Sequence, residues 1–145
     1  MKNYALFGAF VMALFLSASA LHAQSSPVGI WQTIDDESGE PKSQVEIYQK
    51  NDLIYGKVVK LLPAATSDKC NNCPGDKKDQ PLIGMDILWE LRPYGDYWSY
   101  GRIVDPKDGD VYKCSIWLDG TDKLKVRGYL GLSMIGRTQI WHRVK

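Results

Sequence analysis

Ser43-Gln44-Val45-Glu46-Ile47-Tyr48-Gln49, followed by Lys50-Asn51-Asp52 and then by Leu53-Ile54-Tyr55-Gly56-Lys57-Val58-Val59, reads as a β-hairpin. Val45 and Ile47 share one face and Glu46 lies on the other, the period of two that a half-buried strand requires. The three polar residues between the two runs supply the return.

The same pattern recurs on both sides of this hairpin. Tyr97-Trp98-Ser99-Tyr100-Gly101-Arg102-Ile103-Val104 runs into the turn Asp105-Pro106-Lys107-Asp108-Gly109, and residues 111–118 return from it. A second return at Asp119-Gly120-Thr121-Asp122 leads to residues 123–130, and Arg137-Thr138-Gln139-Ile140-Trp141-His142-Arg143-Val144 follows. With an opening segment at 28–33 and another at 86–91, the strands number eight, although residues 83–91 fit a short helical lid equally well. Eight antiparallel strands suffice to close a small barrel, and closure removes the exposed sheet edges of a chain with no helix to cover them. The expected fold is therefore all-β: an eight-stranded antiparallel up-and-down β-barrel with one long loop. That loop, residues 62–81, carries Pro63, Cys70, Cys73, Pro74 and the charged run Asp76-Lys77-Lys78-Asp79, and reads as part of the same domain, covering a barrel mouth.

The chain has 145 residues, with 18 Lys plus Arg against 17 Asp plus Glu. This balance, without a basic stripe, argues against nucleic acid as a partner. Lys2, the apolar run 4–16 and the small residues 17–23 read as a secretory signal peptide cleaved after Ala23, leaving residues 24–145 as one domain without a membrane span. The leader would take all three Phe with it, so the mature aromatics are the five Trp and every Tyr except Tyr4. Rings with a polar handle suit surfaces that are apolar but partly wet.

An exported protein with three cysteines is expected to pair two of them. Cys70 and Cys73 form the local pair in Cys-Asn-Asn-Cys, leaving Cys114; Cys73 with Cys114 is the competing bridge, and spacing does not choose between them. Two cysteines without a second Cys or His pair at ligand spacing do not make a zinc site, and no cofactor or metal is expected. His142 sits between Trp141 and Arg143 with no nucleophile elbow in the sequence, and the carboxylates fall mostly in turns, so no catalytic residue is assigned and the protein is not expected to be an enzyme. Arg102, Arg127 and Arg137 each lie beside Gly or Tyr in a strand pattern, where an inward guanidinium would clamp an anionic head group. Arg127 falls opposite a face shared by Leu124, Val126 and Leu130, which favours an outward position.

Gly29-x-Trp31 on the first strand with Trp141-x-Arg143 on the last resembles the signature of calycin, lipocalin-type barrels, in which a first-strand Trp plugs the closed end and a last-strand Arg packs across it. The resemblance makes Trp31, Trp141 and Arg143 the structural closure of the barrel. The ordered set Gly29-x-Trp31-x-Thr33, Lys42-Ser43, Tyr55-Gly56-Lys57, Cys70-x-x-Cys73, Asp105-Pro106, Arg127-Gly128-Tyr129 and Gly136-Arg137-Thr138-Gln139-x-Trp141-x-Arg143 is similar to the exported bacterial family catalogued as domain of unknown function 2147 (DUF2147). It implies a small lipocalin-like barrel in the periplasm or outside the cell, with no activity attached to the family.

The expected function is non-enzymatic binding of a small apolar or amphiphilic ligand in the barrel. Trp98, Tyr100, Arg102, Tyr112, Arg127 and Tyr129 are the candidate contacts, of which alternation lets only about half face inward. The alternative is an envelope or secreted protein-interaction module whose barrel is filled by its own side chains and whose 62–81 loop meets a protein partner of unknown identity.

Overall fold

The computed structural model describes residues 25–131 and 135–145; the expected leader, residues 1–23, lies outside the described residues. Eight strands follow one another around a closed antiparallel barrel: β1 (Gly29–Ile34), β2 (Pro41–Lys50), β3 (Leu53–Leu61), β4 (Asp86–Tyr94), β5 (Tyr97–Val104), β6 (Val111–Asp119), β7 (Lys123–Tyr129) and β8 (Gly136–Arg143). Closure is made by β1 against β8, where Trp31 faces Arg143 and Gln32 faces His142 across the strands.

The segment that fitted either a strand or a helical lid is β4. Its edges pair with β3 and β5, and Glu90, at φ 60°, forms a bulge that keeps Leu88 and Leu91 buried despite their odd spacing. The long loop extends to residue 85 and contains a single 3₁₀ turn at Gly75–Lys77.

The connections differ at the two ends of the barrel. At one end they are tight returns: Asn51 and Asp52, both with positive φ, turn β2 into β3, and Gly95 and Gly120 serve the next two hairpins. At the other end lie the longer connections 35–40, 62–85 and 105–110. The tight end is packed solid: Trp31, Val45, Ile47, Leu88, Leu91, Ile116 and Leu124 are fully buried there. Leu130, expected on the inner face with Leu124 and Val126, is exposed, because β7 ends one residue before it.

Candidate functional site

The closed end is held by one ring and one guanidinium. The Trp31 indole N–H donates to the Pro27 carbonyl at 2.7 Å, and the Arg143 guanidinium lies 4.2 Å from the centre of the Trp31 ring. The same guanidinium donates through Nε to Thr121 O (2.7 Å), through one terminal nitrogen to Val28 O (3.0 Å) and through the other to Ser26 O (3.0 Å). One planar fork thus ties the last strand, the β6–β7 turn and the segment before β1 over the ring, a geometry that Lys does not reproduce. Gly29, at φ 145°, lies directly beneath it, and a Cβ there would strike the guanidinium.

The open end holds a cavity of about 500 Å3. Val58, Ile87, Ile103, Val126 and Trp141 form its apolar lower walls, with Leu61 and Leu82 contributed from beneath the long loop. Several polar groups of its wall are bonded to one another. Thr33 and Ser43 hydroxyls meet at 2.8 Å, and a chain of contacts climbs β8: Trp141 N–H donates to Gln139 Oε1 (3.1 Å), and Gln139 Nε2 donates to Asp36 (2.6 Å). Arg137 then bridges Asp36 (3.0 Å) and Asp105 (3.6 Å). Among the described residues no buried side-chain nitrogen or oxygen lacks a hydrogen-bond partner.

The long loop is seated on the rim. Cys70 and Cys73 are disulfide-bonded and buried, which resolves the choice of pairing, and Cys114 is a free thiol inside the barrel whose pKa burial pushes up. Asn72 donates to the Lys107 carbonyl (3.1 Å), and Gly109, at φ 78°, lies so close to Asn72 that a Cβ would collide with its backbone. Lys107 in turn pairs with Glu37 from the β1–β2 loop, which comes from the opposite side of the barrel.

Of the six candidate contact residues, Tyr112 and Tyr129 line the cavity. The other four do not. Trp98 sits lower, facing Ile116 across the strands and packed on the solid core. Tyr100 is displaced to the outside by a bulge at φ 63°, where it meets the edge of Tyr94. Arg102 is exposed and donates to the Gly101 carbonyl, and Arg127 lies on the outer face, donating to Thr138 at 3.1 Å. The arginine at the cavity is Arg137, which shares an inner face with Gln139 and Trp141. Counting back by twos from a buried Trp141 would have found both residues. His142 is exposed on the outer face, and among the described residues no group of three His, Cys, Asp or Glu side chains is placed to hold a metal ion.

The sequence profile of a family described as an uncharacterized protein conserved in bacteria, DUF2147, matches residues 29–143, from the glycine under the guanidinium to the arginine that carries it. The chain belongs to that family. A solved structure of protein HP1028 from Helicobacter pylori, described as belonging to the lipocalin family, superposes with a TM-score of 0.72 at 19% identity, over 83% of this chain and 84% of that one. The likeness is one of fold, and makes this DUF2147 member a lipocalin-like barrel. No curated protein matches the chain.

Proposed function

We propose that this DUF2147 member is an exported, non-enzymatic binding protein that takes a small, apolar or amphiphilic molecule into the open end of its barrel. The observation that carries the reading is the cavity: about 500 Å3, apolar below and polar at the rim, within the size and composition range of small-molecule sites. The alternative of a filled barrel acting only through its loop draws no support from an interior with this much room. Export is supported by the leader-like residues 1–23 and by a disulfide, which persists in the periplasm or outside the cell. Residues 24–145 are then the mature domain.

The test is a native mass spectrum of the protein purified from an exporting host, before and after gentle organic extraction, followed by titration of the extracted protein with the neutral probe N-phenyl-1-naphthylamine. A removable small-molecule adduct, or saturable probe binding that quenches tryptophan emission, is the expected result. A bare mass in both spectra together with no saturable probe binding would overturn the proposal.

A further inference from the structure

We infer that the cavity selects uncharged, largely apolar molecules and rejects organic anions of the same shape, because carboxylates outnumber the cations at its mouth and hold three of the four in ion pairs. The inference rests on the cavity being the binding site and specifies what it takes.

Four cations line the mouth, Lys42, Lys69, Lys107 and Arg137, against five carboxylates, Asp35, Asp36, Glu37, Asp105 and Asp108. Arg137 is the only guanidinium among them and already serves two of the acids; Lys107 is paired with Glu37, and Lys42 lies 3.6 Å from Asp35. An anionic head reaching for Arg137 has to approach Asp36 and Asp105 at similar distances, where repulsion offsets the attraction. Displacing Asp36 would also cost the hydrogen bond from Gln139. Burial first, and then the carboxylates of Asp108, Asp110 and Asp105, push the Tyr112 hydroxyl's pKa up, while Arg137 opposes them. Deeper in, the Thr33 and Ser43 hydroxyls bond each other and the Trp141 N–H bonds Gln139, so these wall groups are already partnered. The wall deeper in is largely apolar, with Val58, Ile87, Ile103 and Val126 among its residues.

The experiment compares two probes with one skeleton: neutral N-phenyl-1-naphthylamine and its sulfonate, 8-anilino-1-naphthalenesulfonate, titrated against the same extracted protein. The neutral probe is expected to bind more tightly by about tenfold or more at low salt, and raising salt to about 0.5 M should narrow the ratio, because rim repulsion is screened. The double variant Asp36→Asn, Asp105→Asn should narrow it further. An anion that binds as tightly as the neutral probe and weakens relative to it as salt is added would mean that Arg137 attracts anions, and would overturn the inference. The salt series needs no variant, so the inference stays testable if the double variant fails to fold. Failure of the neutral probe to bind at all would overturn the binding reading as well, an outcome distinct from a reversed preference.

Discussion

The two ends of this barrel use the same eight strands and similar residue types to opposite effect. At the closed end an indole and a guanidinium are satisfied entirely by the protein: Trp31 bonds Pro27, Arg143 bonds three backbone carbonyls, and the pair stacks. At the open end the indole of Trp141 and the guanidinium of Arg137 are also satisfied, but by side chains, Gln139 on β8 for the one and carboxylates on loops for the other, and around them the strands enclose a cavity. Backbone carbonyls in the segment leading into β1 and in a tight turn leave no slack, so the closed end is a plug. Carboxylates on long connections leave space between them, so the open end is a vessel with a charged lip. The difference lies in what the polar tips bond to.

The largest effect expected is at the plug. Trp31→Ala removes a fully buried ring and leaves the Arg143 fork without its platform; it should cost about 3–5 kcal/mol of unfolding free energy in urea. A loss below about 1 kcal/mol would mean that the closed end is not the stability centre of the fold.

Next is the seat of the long loop. Gly109→Ala forces a side chain into positive φ and into the Asn72 backbone, so a loss of about 1–3 kcal/mol is expected, with faster proteolytic cutting within residues 62–85. Unchanged cutting would show that the loop holds its place without that contact.

At the vessel the expected change is in binding rather than stability. Val126→Phe places a larger ring on the cavity wall and should weaken N-phenyl-1-naphthylamine by about tenfold, for a stability change of about 1 kcal/mol or less. If stability falls as it does for a packed core while binding is untouched, the probe site lies elsewhere.

The smallest effect belongs to the lip. The Asp35 carboxylate accepts from the Ser38 amide (2.9 Å), the Ser38 hydroxyl (3.0 Å) and the Glu37 amide (3.1 Å), and these bonds, that of the Ser38 amide foremost, hold its pKa below the ordinary 3.8. A depressed carboxylate stabilises the fold above its unfolded pKa and ceases to do so as pH falls through the lower folded value. Chemical-shift titration should therefore find Asp35 still ionised just below pH 3.8, with the 35–40 loop losing order only at lower pH. Titration at or above that value would show the three hydrogen bonds to be transient.

Much of this was legible in the residues. Alternation at Val45 and Ile47, the turn residues Asn51, Asp52, Gly109 and Gly120, and Gly29-x-Trp31 with Arg143 were enough to expect eight strands, closure and the plug; Trp141, expected in that closure, lines the cavity instead, two residues up β8 from Arg143. The site was less legible. Tyr112 and Tyr129 line the cavity, but Trp98, Tyr100, Arg102 and Arg127 do not, because a bulge at Tyr100 interrupts alternation and inner-facing residues near the plug contribute to packing instead. Arg137 and Gln139 could have been placed by parity from Trp141; their partners Asp36 and Asp105 could not, since both lie on loops.

What the sequence by itself determined is whatever depends on neighbours along the chain: strand period, turn chemistry, and the residue types that strand closure needs. The tertiary structure alone decided which aromatics face a cavity, that Cys70 pairs with Cys73 while Cys114 is buried as a thiol, and which carboxylates meet Arg137. The contacts of Arg137 join residues separated by tens of positions, and their geometry follows from how far each loop reaches around the barrel, a property of the closed sheet that no local pattern carries.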